Sequence, residues 1–389
     1  MEATLEHGAL TVALTGHIDS SNAPAAEAEL MAVRDREPHE AMVLDLQDLT
    51  YISSAGLRIV LRLRKLEPAL KLVNASAEVY EILDMTGFTE MMPVEKAYRT
   101  ISIEGCEVIG RGANGTVYRI DQDTVVKVYR SQDCLPDVQR ERELARKAFV
   151  LGIPTAIPYD VVRVGDSFGS VFELLNSRSF SKLIAANPED MDHYVGLYVD
   201  LMEKIHSTHV KEGDLPSIRP FADSCVLYAK KELPEALGAK AEALVNAIPD
   251  TDTMLHGDFH TNNIVMQNDE VLILDMDTLC VGHPIFELGS MYMAFVGFGE
   301  LDPTVPEAFL KLPYATTQLI WEKALLRYAG GDEALAARTG DRARIICYLR
   351  LLRRSLRRGG RENPESRAWI ELCLARLTEL LPRVDALYG

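Results

Sequence analysis

No two of the six cysteines stand in a C-x-x-C pair, so neither a disulfide framework nor a zinc ribbon is written into this chain. Cys106, Cys134, Cys225, Cys280, Cys347 and Cys373 are scattered as reduced, mostly buried thiols are. No uninterrupted apolar run reaches the about 18 residues that a membrane-spanning helix needs. The opening MEATLEHGAL has neither the basic stretch nor the apolar core of a secretory leader. A soluble, cytoplasmic protein with no membrane partner is expected. Basic charge is also scarce: 41 Lys and Arg face 58 Asp and Glu, a formal charge of −17. That excludes a general nucleic-acid binder, whose footprint is a basic excess. Arg350–Arg361 is a local exception, and reads as the solvated face of a helix. Internal repeats and low-complexity tracts are missing too. With 47% apolar residues in 389, two or three domains with ordinary cores are expected.

The first hundred residues alternate strand and helix patterns. Leu10–Leu14 reads as a strand after a turn at His7-Gly8, Ala23–Met31 as a helix, and Met42–Leu46 as a strand followed by a turn over Gln47–Thr50. Ser54–Leu66 carries apolar residues at helical spacing behind serines suited to a cap. Leu70–Val73 and Val79–Met85 add a strand and a helix. This order predicts a small α/β domain. Near Ile101–Gly105 the texture changes to strand, Gly-rich turn and strand (Cys106–Ile109, Gly110–Gly115, Thr116–Ile120), then Thr124–Tyr129. A charged helix over Asp137–Leu151 follows. Beyond Ser181 the chain reads as helical, except for a loop-and-strand insert at Leu255–Cys280.

Gly110, Gly112, Gly115 and Val117 form G-x-G-x-x-G-x-V. A dinucleotide site needs a helix after those glycines, but Thr116–Ile120 is a β-branched and aromatic run, so they sit in a hairpin. That is the kinase arrangement, a flap whose backbone amides cover phosphates. Lys127 lies in the next strand, where its ammonium can reach the α- and β-phosphates. Glu141 and Glu143 are both available on the following helix to hold it. Being two apart, only one of them points inward, and Glu141 is favoured.

His256, Asp258 and Asn263 form H-x-D-x-x-x-x-N. Asp258 is the candidate base for a substrate hydroxyl, and Asn263 offers an amide oxygen to Mg²⁺. Val271–Leu274 reads as a buried strand ending at Asp275, a metal-binding carboxylate, with Asp277 as the alternative. Reading His256, Asp258 and His260 as a metal cluster finds no fourth ligand.

The segment from about residue 105 onward resembles the aminoglycoside phosphotransferase and choline kinase branch of the protein-kinase-like fold. That branch reads HGD in the catalytic loop, as His256-Gly257-Asp258 does here. The resemblance implies an antiparallel β N-lobe (about 103–175) and a mostly helical C-lobe (about 176–389). It also implies ATP with Mg²⁺ and a small-molecule hydroxyl acceptor. Phe172–Leu175 resembles the hinge between lobes, so that Glu173 and Leu175 would meet the adenine, and His206 falls in the helix preceding the catalytic loop. His283 departs from relatives that carry aspartate there.

Asp45–Leu57 resembles the STAS domain of anti-sigma-factor antagonists, and Gly16–Asp19 and Leu83–Phe88 agree with it. In that family a partner kinase phosphorylates a serine at the helix start. Ser54 falls at that position, while Ser53 replaces a common aspartate. A helix N-terminus favours such a phosphate, and a plain N-cap is the structural alternative. The expected whole is an α+β multidomain chain, a STAS domain over 1–102 and a bilobal kinase-like domain over 103–389. An active small-molecule kinase leads over a protein-serine kinase switch with a protein partner at the STAS domain. A nucleotide-binding pseudokinase scaffold comes last.

Overall fold

Leu10 and Val12 are fully buried while Ala9, Thr11 and Ala13 around them are only half-buried, the period of two that a strand with one core face imposes. The computed structural model describes residues 1–6, 8–112, 115–130 and 134–389. It divides into two units: Met1–Ser102 with Val162–Gly165, and Ile103–Val161 with Asp166–Gly389.

In the first unit, β1 (Ala3–Glu6), β2 (Ala9–Ala13), β3 (Gly16–Ile18), α1 (Ala23–Arg36), β4 (Ala41–Asp45), β5 (Leu49–Ile52) and α2 (Ser54–Leu66) follow in turn. β6 (Lys71–Ala75), α3 (Ala77–Met85), α4 (Phe88–Met91) and β7 (Val94–Lys96) complete it. The sheet runs β1-β2-β4-β6-β7, with only β1 antiparallel to its neighbour. β3 and β5 form a separate parallel pair. β5 corrects the turn expected over Gln47–Thr50: the turn closes at Leu49, whose amide bonds the Leu46 carbonyl at 3.0 Å. Leu49 and Ile52 are buried and the two residues between them exposed, a spacing that hides the strand from a period-two reading.

α2 begins where its serines predict. Ser53 is the N-cap, its Oγ accepting the Ala55 amide at 3.2 Å. Ser54 is the first helical residue and is exposed. A Cβ at Gly56 would stand 2.6 Å from Ile52 Cγ1 and 2.9 Å from Ile18 Cγ2. Only glycine therefore lets this helix lie so close to β3 and β5.

The second unit opens with β8 (Glu107–Arg111), β9 (Gly115–Arg119), β10 (Thr124–Tyr129), α5 (Leu135–Val150), β11 (Pro158–Val164, its last three residues counted with the first unit) and β12 (Ser167–Glu173). Their sheet is ordered β11-β12-β10-β9-β8, antiparallel from β12 to β8. Ala113 and Asn114 of the glycine motif lie outside the described residues, as does His7.

The rest of the unit is mainly helical: β13 (Arg178–Ser179), α6 (Phe180–Ala186), α7 (Met191–His206), α8 (Arg219–Glu232), α9 (Glu235–Asn246) and β14 (Met254–Leu255). Next come β15 (Ile264–Gln267), β16 (Glu270–Ile273), β17 (Cys280–Val281) and α10 (Ile285–Phe295). The closing helices are α11 (Thr304–Leu310), α12 (Tyr314–Tyr328), α13 (Glu333–Arg358) and α14 (Pro364–Leu380). Tyr198, Phe259 and Phe295 are buried together in its core, with ring centroids 4.7 and 6.0 Å from that of Tyr198. The chain is thus α+β, a mixed α/β unit followed by a β-sheet lobe and a helical lobe. Among the described residues no helix is long and apolar enough to cross a membrane. Cys106 is half-buried and the other five cysteines are buried, all of them free.

Two sequence expectations change. β16 ends at Ile273, and Leu274 leaves it to bond the Asn263 carbonyl through its amide at 2.8 Å. Asp275 then takes the left-handed conformation, φ 64°, before a 3₁₀ turn over Met276–Thr278. Asp275 and Asp277 therefore do not share a strand face. The arginine run of α13 is not simply solvated either: Arg350, Arg353 and Arg354 are half-buried, and Arg357 and Arg358 are exposed.

Candidate active site

Buried Val125 and Val126 set β10 into the sheet, and Lys127 beside them is paired in register with Val117 of β9 and Ser170 of β12. A lysine stem held in the centre of a sheet can aim its ammonium at a fixed point. Lys127 Nζ lies 2.8 Å from Glu141 Oε1 and 2.8 Å from Asp275 Oδ1. Of the two acids on α5, Glu141 is 4% exposed, whereas Glu143 faces Arg146 at 2.9 Å. Burial pushes the Glu141 carboxyl up to about 7 against the pull of Lys127. Burial would lower Lys127, but Glu141 and Asp275 together hold it above its ordinary value. The ammonium thus stays charged.

The loop between β14 and β15 is fixed by its own backbone. His256 Nε2–H donates to the Leu274 carbonyl at 3.0 Å, and its Nδ1 accepts the Asp258 amide at 3.3 Å, which sets the tautomer. Asn263 Nδ2 donates to the Asp258 carbonyl at 3.0 Å. The Asp258 side chain is 44% exposed, with Oδ2 3.3 Å from His260 Nε2. Burial would raise this carboxyl, but the hydrogen bond and charge of His260, then His256 and least of all Arg350, hold it below its ordinary value. It is therefore an ionised acceptor at neutral pH. The two histidines are engaged with Leu274 and Asp258, and among the described residues no group of three or more His, Cys, Asp or Glu is placed to hold a metal.

One cleft of about 430 Å³ gathers ten of the residues named from the sequence. They are Gly110, Gly112, Gly115, Val117, Lys127, Glu141, Glu173, Leu175, Asn263 and Asp275. Asp258 stands beside this lining rather than in it, joined to it through Asn263. Asp277 is not in the lining either, and burial and the charge of Asp275 raise its carboxyl. At the hinge, the Glu173 amide is spent on the Ile157 carbonyl at 3.0 Å and the Leu174 amide on Asp123 at 2.8 Å. Ser54 belongs to the other unit.

The sequence reading missed Glu287. It is 1% exposed, accepts the amides of His256 at 2.9 Å and Gly257 at 2.6 Å, and meets His206 Nε2 at 3.4 Å. Burial would raise it, yet His206, then His256, hold this carboxyl below its ordinary value. His206 is fixed in turn by the Tyr328 hydroxyl at 2.9 Å. The signal was present in the sequence, because a lone acid in the apolar run Ile285–Phe295 must be buried and therefore paired. Ser290 Oγ to the Gly257 carbonyl at 3.0 Å and Thr278 Oγ1 to the His256 carbonyl at 2.7 Å complete the loop's support.

The model of a family described as the phosphotransferase enzyme family matches residues 105–320, and that of the STAS domain residues 1–102. BtrV of Bordetella bronchiseptica, named as an anti-sigma factor antagonist, is 42% identical over 91 residues, 22% of this chain and 78% of that protein. The anti-sigma F factor antagonist of Paenibacillus polymyxa is 27% identical over 100 residues, 24% of this chain and 86% of that one. Among solved structures, a gentamicin complex of the aminoglycoside phosphotransferase APH(2")-IIa is 14% identical. It covers 77% of this chain and 95% of its own at a TM-score of 0.46. A choline/ethanolamine kinase family protein from Mesorhizobium loti is 16% identical, covering 71% and 87% at a TM-score of 0.45. With more than half of its length matched by the first model, the chain belongs to the phosphotransferase enzyme family, and it carries an N-terminal STAS domain.

Proposed function

We propose that residues 103–389 are a cytoplasmic kinase that moves the γ-phosphoryl group of Mg-ATP to a hydroxyl of a small molecule, with lobes at about 103–175 and 176–389. Residues 1–102 are its regulatory or docking module, facing a protein partner. The observation that carries this reading is the placement of Lys127, Glu141 and Asp275 in one charge network within the cleft lined by the glycine strands.

Gly110, Gly112, Gly115 and Val117 cover the nucleotide, and Lys127, held by Glu141, meets its α- and β-phosphates. The Glu173 and Leu174 amides are already spent, so Glu173 and Leu175 would meet the adenine through other backbone groups. Asn263 donates its amide nitrogen to the Asp258 carbonyl, which leaves its amide oxygen as an acceptor. With the exposed Asp275 carboxylate it would hold Mg²⁺, a hard cation that prefers oxygen ligands. Mg²⁺, when bound, neutralises charge on the β- and γ-phosphates. The acceptor oxygen attacks the γ-phosphorus, the bond to the bridging oxygen of ADP breaks, and the hydroxyl proton passes to Asp258.

A second reading rests on one observation: Ser54 is exposed at the start of α2, where a phosphate would be stabilised. In that reading the kinase unit acts on STAS serines. The deciding experiment incubates the pure protein with Mg-ATP, alongside Asp258→Ala, and reads intact and peptide mass. Unmodified protein that binds Mg-ATP supports the small-molecule kinase. Phosphate on Ser54, gone in Asp258→Ala, moves the assignment to a signalling kinase. Failure to bind Mg-nucleotide at all removes both.

A further inference from the structure

α13 sets Arg350, Arg353, Arg354, Arg357 and Arg358 along one face at helical spacing. All five line a cavity of about 370 Å³, completed by Phe221 of α8 and Met293 of α10. Such crowding of like charge is costly unless something answers it. Arg344 and Arg361 nearby are paired with Asp341 and Glu232, but among the described residues none of the five is in an ion pair. Three of them rest on aromatic rings instead. Arg350 and Arg353 lie 4.9 and 4.7 Å from the Phe221 centroid, and Arg354 lies 5.0 Å from that of Phe298. Ring contact of this kind holds a guanidinium without consuming its N–H donors. One is used: Arg353 Nε donates to Ser224 Oγ at 2.7 Å. Burial, then Arg358, push the Arg354 guanidinium down, and only Glu365 opposes them. Among the described residues, therefore, the five cations of the cavity have no ion-paired carboxylate to balance them.

Its position ties it to the catalytic loop. Ser290 of α10 bonds the Gly257 carbonyl, and Met293, one turn further along the same face, lines the cavity. The cavity shares no lining residue with the nucleotide cleft.

We propose that this cavity binds a phosphate group carried by the acceptor, so that the acceptor is a phosphorylated hydroxyl compound and the product carries two phosphates. This rests on the phosphotransfer reading above. Planar guanidiniums meet phosphate oxygens in pairs of parallel hydrogen bonds, and five cations exceed what one carboxylate requires. The transfer balances as before: the acceptor's free hydroxyl forms the new O–P bond, ADP leaves, and the proton goes to Asp258.

Two measurements on the full chain test it. In the first, inorganic pyrophosphate is titrated calorimetrically, in excess Mg²⁺, into protein saturated with a non-hydrolysable ATP analogue. Wild type should bind, and Arg357→Gln/Arg358→Gln, exposed positions that spare the fold, should bind at least tenfold more weakly, with Arg350→Gln weaker still. Nucleotide affinity should be the same in all three. No pyrophosphate binding, or binding that the substitutions leave unchanged, overturns the proposal. In the second, radiolabelled transfer is scored over cationic, neutral and phosphate-bearing hydroxyl compounds. Turnover in the phosphate-bearing class, with acceptor KM raised at least tenfold in the double variant, supports it, and turnover confined to the other classes sinks it. Should the protein bind no Mg-nucleotide, the phosphotransfer reading itself fails, and the calorimetry on that point separates the two failures.

Discussion

Lys127 stands 2.8 Å from Asp275, 148 positions further along the chain, and 2.8 Å from Glu141 on α5. One ammonium thus ties strand, helix and the turn after β16 into a single charge network. Glu141 is the most buried member, and removing its cation leaves a carboxyl with no counter-charge in a low-dielectric setting. Lys127→Met should lower the stability of the second unit by about 3 kcal/mol. Adding Glu141→Gln should recover part of that loss in thermal unfolding followed by circular dichroism. A double variant no more stable than Lys127→Met would show that the two side chains are not coupled.

The same pair sets a pH dependence. The folded Glu141 carboxyl, raised by burial to about 7, lies above the about 4.3 of an unfolded glutamate. Between those values the folded protein holds a proton that the unfolded chain has released, so stability falls as pH rises through the window and levels off above it. Relative to Glu141→Gln, wild type should lose at most about 3 kcal/mol between about pH 4.5 and pH 7. Denaturant midpoints measured without nucleotide should diverge with rising pH. Parallel midpoints across the range would place the Glu141 titration below it.

What could be read from the sequence was what local chemistry dictates. The glycine hairpin, Lys127 in its strand, and His256 to Asn263 in one loop are short motifs, and the fold brings their residues to one cleft and its edge. The start of α2 followed from serine capping. What could not be read depended on distant partners. A helical arginine run looks solvated until Phe221 and Phe298, far away in sequence, supply the rings it stacks on. Asp275 and Asp277 looked interchangeable because the left-handed turn that separates them leaves no mark in an apolar strand pattern. β5 hid because its buried residues are three apart.

Gly257 links the loop to that turn. Its φ is +84°, and a Cβ there would come within 2.6 Å of the Thr278 carbonyl oxygen. Both the conformation and the backbone contact oppose any side chain. Gly257→Ala should cost about 1–3 kcal/mol and displace Asp258, lowering kcat at least tenfold while nucleotide affinity, set in the cleft, changes little. Unaltered turnover would mean that the loop tolerates the shift and that the position of Asp258 is not set by its neighbour.

Glu287 makes the last case, because it touches neither nucleotide cleft nor Asp258 side chain and acts only through the backbone. Its two oxygens receive the amides of His256 and Gly257, directly before Asp258, and His206 Nε2 lies 3.4 Å from one of them. In Glu287→Gln one of those oxygens becomes an NH₂ group, which must point a donor at a donor or turn away and leave a buried amide unsatisfied, at about 1–3 kcal/mol. The loop then relaxes where it holds Asp258. The expected result is kcat lowered at least tenfold, with nucleotide KM within a factor of two, measured at a temperature where dichroism shows the variant fully folded. A lowered melting temperature with kcat intact would reduce Glu287 to support of the fold. Loss of kcat in the folded variant would make it the residue that positions Asp258 for the hydroxyl proton.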